Sequence, residues 1–170
     1  MAEPLDRELH RVAVTGIIYK RDSSTSSAQG GAYKYLITKR SPHKKAWPNK
    51  WTVPGGGLSM DDYVHTPPTH TADEAPQWYG AVEAALRREI REEVGLEVGK
   101  PEYLVDIAAL RKDGQPVLVL SFYCPYESGE VVLDKDATEH VWITAAEASQ
   151  YDFISGIDSE ICRVEERLRR

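Results

Sequence analysis

Cysteine is nearly missing from this chain: Cys124 and Cys162 are its whole complement. So small a number excludes a disulfide framework, and both thiols sit among apolar neighbours that place them in a core. A reducing cytoplasm is the expected compartment. No apolar run approaches the roughly 20 residues that a membrane span requires. The opening Met1-Ala2-Glu3-Pro4-Leu5-Asp6 lacks the basic and apolar regions of a secretory leader, so none is expected. Positive charge is not in excess either. Lys and Arg number 21 against 27 Asp and Glu, a net charge of −6, which argues against a nucleic-acid partner or an anionic membrane. Internal repeats, heptads and a linker to a second domain are likewise missing. What remains is 170 residues, 41% apolar and 28% charged. That is enough chain to bury a core without staples, and a single domain over residues 1–170 is expected.

The coarse pattern alternates strands and helices. Arg11–Tyr19 and Tyr33–Thr38 read as two strands of a hairpin, joined by a Ser/Thr/Gly-rich turn at Asp22–Gly31. Ser41–Trp51 is basic and carries Trp47 and Trp51, after which a short strand, Trp51–Val53, runs into Pro54-Gly55-Gly56-Gly57. Ser59–Pro76 holds Pro67, Pro68 and Pro76 and no apolar period, which predicts a long loop of the functional kind. A helix is predicted over about Gln77–Val94, with Leu86, Ile90 and Val94 on one stripe and Gly95 as its stop. Strands Glu102–Leu110 and Val117–Cys124 flank an Asp113-Gly114 turn. A further strand at about His140–Ile143 precedes a helix with Ile157, Ile161, Val164 and Leu168 on one side. The expected class is α/β (α+β), a mixed sheet with helices packed on its faces.

The informative stretch is Arg88-Glu89-Ile90-Arg91-Glu92-Glu93-Val94-Gly95-Leu96. On a helix Glu89, Glu92 and Glu93 fall at i, i+3 and i+4 and share a face, where like charges repel. Two readings are open. The face is solvated, with Arg87, Arg88 and Arg91 offsetting it locally, or a hard divalent cation resolves the repulsion.

Together with Gly56 and Gly57, this stretch resembles the Nudix box, whose second half, Arg-Glu-apolar-x-Glu-Glu-x-Gly-apolar, is matched at every specified position. The approach Trp51-Thr52-Val53-Pro54-Gly55-Gly56-Gly57-Leu58 is also similar to the family's. The first half departs. Gly56 and Arg88 are 32 positions apart (88 − 56) where the family spacing is about 14, so roughly 18 residues are inserted, within Ser59–Pro76. The position of the first box glutamate, eight before Arg88, is Gly80. Either its role is dispensable here or an acid such as Asp73 or Glu74 takes it. Glu83 stands where members often carry another helix glutamate.

The resemblance implies a Nudix-like α/β/α sandwich around a central mixed β-sheet. It implies a Mg²⁺- or Mn²⁺-dependent pyrophosphohydrolase acting on a nucleoside diphosphate linked to another group, such as a nucleoside triphosphate or ADP-ribose. Glu89, Glu92 and Glu93 would be metal ligands with a backbone carbonyl at Gly56 or Gly57, and Arg88 would fix a glutamate rotamer. Glu139, backed by Asp136, is the candidate base. Arg40 is the favoured contact to phosphate or ribose among Lys39, Arg40, Lys44 and Lys45. Trp51 and Trp78, with Trp47 and Tyr79, offer faces on which a base can stack; packing is the competing use. The histidines lack zinc-ligand spacing. The inserted loop reads as a lid or specificity element, and a homodimer is compatible with the family. Two alternatives differ in class. One is a Nudix-fold ligand sensor, which the three retained glutamates argue against. The other is an enzyme like isopentenyl-diphosphate isomerase, which needs a cysteine where Thr52-Val53-Pro54-Gly55 stands.

Overall fold

The computed structural model describes residues 9–22 and 33–170. Most of the turn expected at Asp22–Gly31 therefore lies outside the described residues. The strands are β1 (Arg11–Arg21), β2 (Tyr33–Arg40), β3 (Trp51–Thr52), β4 (Gly55–Gly57), β5 (His70–Ala72), β6 (Ala75–Gln77), β7 (Glu97–Val98), β8 (Glu102–Leu110), β9 (Pro116–Ser128) and β10 (Ala137–Ile143). The helices are α1 (Ala81–Val94) and α2 (Ile157–Leu168).

β1 and β9 form the parallel centre of a mixed sheet, in register from Arg11 opposite Val117 to Tyr19 opposite Pro125. The sheet runs β10-β2-β1-β9-β7, and β8 also pairs with β9. The edge of β1 is divided between two antiparallel partners. Tyr19–Arg21 pair with β2, whereas Ala13–Thr15 pair with the three glycines of β4. The glycine run is thus a strand, which brings Gly56 opposite Val14 at the centre of the sheet.

The two-residue period of the strands sorts their side chains into two layers. Ile17, Tyr35, Ile37 and Tyr123 join Ile157, Ile161 and Val164 of α2. Their sequence neighbours Ile18, Leu36 and Cys124 join Leu86, Ile90 and Val94 of α1. The helices therefore cover opposite faces. Gly95 ends α1 at φ 70°, a left-handed cap that glycine adopts without a Cβ penalty, and its N–H reaches the Arg91 carbonyl at 3.0 Å.

Three expectations need correction. The helix begins at Ala81, not near Gln77, because Gln77 pairs with His70 in β6. Ser59–Pro76 is not a featureless loop. It contains a capped 3-10 turn, Met60–Asp62, and the hairpin β5–β6, whose two-residue turn places Asp73 and Glu74 at φ 49° and 65°. Three-residue strands are too short to show a period, which is why the hairpin escaped the sequence pattern. Finally, Cys124 is buried but Cys162 is exposed, and both are free thiols. Ile161 and Val164 already fill the inner stripe of α2, and Cys162 is one step round the helix from it. Among the described residues, no helix is long and apolar enough to cross a membrane.

Candidate active site

α1 has two working faces. Leu86, Ile90 and Val94 hold it to the sheet, and the next stripe, Glu89 and Glu93, turns toward the glycine strand β4. That approach depends on the absence of side chains there. A Cβ on Gly56 would lie 2.3 Å from the Glu89 carboxyl group, and real Cβ atoms never come that close. The Gly55 N–H donates to Glu93 Oε2 at 2.9 Å.

Burial pushes the Glu93 carboxyl up to about 7. The Gly55 hydrogen bond opposes this, the charges of Glu89 and Asp134 add to it, and Lys44 draws it back. Glu89 is 14% exposed in its side chain and Glu92 is 59% exposed. Glu93 and Glu89 therefore form a half-buried carboxyl pair, while Glu92 is exposed at the rim.

Arg88 ties this face together. Its Nη1 donates to Glu92 Oε2 at 2.9 Å, and its Nη2 lies 2.9 Å from Glu89 Oε1 and donates to the Gly57 carbonyl at 3.1 Å. These contacts put the guanidinium against both glutamates whose rotamers it was expected to fix. Its strongest partner is Asp62, which sequence reasoning did not single out. Nε donates to Asp62 Oδ1 at 2.5 Å and Nη2 to Oδ2 at 3.3 Å. Gly80, in the place of the box glutamate, only opens α1 in a left-handed conformation with open space beside it. Asp73 and Glu74 form the exposed hairpin turn. A signal for Asp62 did exist: Ser59-x-x-Asp62 has the spacing of a capping box.

The remaining residues are dispersed. Lys39 stands opposite Glu139 in the β2–β10 register, and the two form an ion pair at 2.6 Å. Asp136 pairs with Lys44 at 2.5 Å. The carboxylate beside Glu93 is instead Asp134, whose N–H donates to the Glu93 carbonyl at 3.2 Å; nothing local in the sequence marks it. Arg40 braces the 41–50 segment through the Ala46 carbonyl at 3.1 Å. Trp51 packs edge-on against Tyr151, ring centres 5.1 Å apart. Trp78 donates to the Thr66 carbonyl at 2.9 Å and packs on Tyr63, inside the insertion. Trp47 and Tyr79 are exposed.

Among the described residues, no three His, Cys, Asp or Glu side chains stand together as a ready metal-ligand group. Two of the three box glutamates are instead in contact with Arg88, which holds Glu92 and touches Glu89.

The family model for the NUDIX domain matches residues 9–161. The chain belongs to the Nudix family. NudI, a nucleoside triphosphatase of Escherichia coli strain K12, is 26% identical to this Nudix chain over 128 residues, covering 69% of it and 78% of NudI. The NUDIX domain of Shewanella oneidensis NrtR, solved with ADP ribose, superposes with a TM-score of 0.66 at 16% identity, over 98% of this chain and 94% of that one. A Caenorhabditis elegans Ap4A hydrolase superposes at 0.62 with 17% identity, over 93% and 97% of the two chains. At these identities the structures establish the fold, the α+β sandwich around a mixed sheet. This Nudix chain is a hydrolase of acid anhydrides in phosphorus compounds.

Proposed function

We propose that the enzyme cleaves the diphosphate linkage of a small nucleoside diphosphate derivative, with nucleoside triphosphates as the first substrate class, using Mg²⁺ or Mn²⁺. The observation that carries this reading is the Glu89–Glu93 pair, held against β4 with its charge only partly offset. The residues fit a hard cation in donor chemistry: carboxylate oxygens, room at Gly56 where a side chain would collide, and a carboxyl whose ionisation burial opposes. Glu89 and Glu93 would hold the ion with the Gly56 carbonyl, and Glu92 would join them by leaving Arg88. When bound, the cation neutralises the diphosphate oxygens and the charge that develops as the bond breaks.

The chain's own groups do the rest. Gly55 fixes the Glu93 carboxylate through its N–H, and Arg88 orients Glu89 and Glu92. Asp134, whose charge acts on Glu93, would take the proton of the attacking water; its Oδ1 accepts from the Asp136 N–H, whereas the Glu139 carboxylate is ion-paired with Lys39. The acidic chain, at −6, suits a small substrate more than a long polyanion. That NudI is a nucleoside triphosphatase supports the substrate class. The same reading takes the chain as one Nudix domain with residues 59–76 inserted into it, and its two free thiols suit a reducing cytoplasm.

The test is a hydrolysis screen with Mg²⁺ over nucleoside triphosphates, ADP-ribose, dinucleoside polyphosphates and nucleotide sugars. Metal-dependent turnover that disappears in a Glu92→Gln/Glu93→Gln double variant is the expected result. Ligand binding without turnover on any of these would favour a sensor instead.

A further inference from the structure

β8 lies at an edge of the sheet. It pairs with β9 from Glu102 to Leu110, and among the described residues no strand takes its other side. Such an edge presents unpaired N–H and C=O groups, which proteins blunt with proline, lysine, a bulge or a covering element. Here only one end is blunted. The register slips between Tyr103 and Val105, and Arg167 of α2 donates to the Tyr103 and Leu104 carbonyls at 2.8 and 3.1 Å. From Val105 to Leu110 there is no proline or lysine, and the one charge is Asp106.

The turn after β8 decides which backbone groups face outward. The Arg111 N–H donates to the Gln115 carbonyl at 3.0 Å, and ladder bonds alternate along an antiparallel pair. Ala109, Ile107 and Val105 therefore bond toward β9, while Asp106, Ala108 and Leu110 turn their N–H and C=O groups outward. The apolar side chains here are also open to solvent. Leu110 is 75% and Ile107 41% exposed, and Ala108 and Ala109 are exposed between them.

The charges of this edge select its occupant. Asp106-Ile107-Ala108-Ala109-Leu110-Arg111-Lys112 has an acid at one end, two bases at the other and an apolar centre. A parallel copy would set like charges together, whereas an antiparallel copy lays acid against base at both ends. We propose that the open edge of β8 is the self-association surface of this chain, on which a second copy pairs antiparallel to join the two sheets. With Ala109 on the two-fold axis, Asp106 stands opposite Lys112 of the second copy, and Ala108 and Leu110 exchange their outward backbone bonds. The arrangement is closed, since each copy uses the same edge. The paired stretch is short, which fits a weak, reversible dimer.

Sedimentation velocity of the full chain, at concentrations up to roughly 500 μM, reads the association. Wild type should show a dimer that grows with concentration. Ala108→Pro deletes an outward N–H and leaves the bonds to β9 in place, so it should weaken the dimer by roughly tenfold or more. Asp106→Lys and Lys112→Asp each set like charges opposite one another at both ends, and each should weaken it by about tenfold. An equimolar mixture of these two variants should associate as wild type does, because each copy then supplies the charge its partner requires. Near-UV circular dichroism checks folding, and the charge variants carry the test if Ala108→Pro does not fold. A wild type that stays monomeric would overturn the proposal. So would a dimer that all three variants leave unchanged, or a mixture that fails to recover.

Discussion

α1 and α2 cover opposite faces of one sheet, and each lays an apolar stripe on it. On α2 the stripe is Ile157, Ile161 and Val164, and the one buried carboxylate of that helix, Glu160, is satisfied by the Ser121 hydroxyl. On α1 the stripe is Leu86, Ile90 and Val94, but the adjoining stripe drives Glu89 and Glu93 against a glycine strand with their repulsion unresolved. The α2 layer is built for packing alone. The α1 layer gives up some stability to hold two negative groups together, which is the arrangement a cation-binding site needs.

The largest test of this contrast is Glu93→Gln. It should lower turnover with saturating Mg²⁺ by on the order of 10³-fold, equivalent to ~4 kcal/mol in the barrier. Thermal stability of the metal-free protein should not fall, since the amide still accepts from Gly55. Steady-state kinetics beside a melting curve reads both.

On the other face, Ile161→Ala should do the reverse. Emptying a fully buried site should cost about 3 kcal/mol of stability in denaturant titration, with the specific activity of folded protein retained. Loss of activity in the folded fraction would erase the division of labour between the faces.

A comparable effect is expected from pH in the presence of chelator. The Glu93 carboxyl is raised from 4.5 to about 7, so between these values the native state holds a proton that the unfolded chain has released. The folded protein is favoured at low pH, and that contribution is lost as pH rises through about 7, by up to ~3 kcal/mol. Urea midpoints at a series of pH values would show the fall, and Glu93→Gln should flatten it. An unchanged slope in the variant would remove Glu93 as its source.

The smallest change should come from the tip of the insertion. Asp73→Asn with Glu74→Gly suits the left-handed turn better and should stabilise the hairpin by ~1 kcal/mol. Turnover should not respond, because Asp73 and Glu74 are exposed at the turn and the segment's bond to Arg88 is made by Asp62. Altered kinetics would give the tip of the segment a part in the reaction.

The parts of this account that are local in sequence were legible there. The α1 stripe, its glycine stop and the Asp113-Gly114 turn each follow from residues within a few positions of one another. So does the shared face of Glu89, Glu92 and Glu93. What the sequence hid was contact across the fold. Glu139 drew attention through its place before Trp142, yet it faces Lys39 only because of the β2–β10 register. Asp134 reaches Glu93 through a loop, and Asp62 reaches Arg88 from 26 residues away. Cys162 was misplaced because apolar neighbours in sequence are not neighbours on a helix face.

The central claim is that Glu89 and Glu93 carry a charge conflict that a divalent cation resolves. The most direct measurement is the titration midpoint of the Glu93 carboxyl, followed by carbon-13 NMR with and without Mg²⁺. The account predicts a midpoint near 7 in chelator that falls by two or more pH units, roughly, when Mg²⁺ is added. A midpoint near 4.5 in chelator, or one that Mg²⁺ leaves in place, would contradict it.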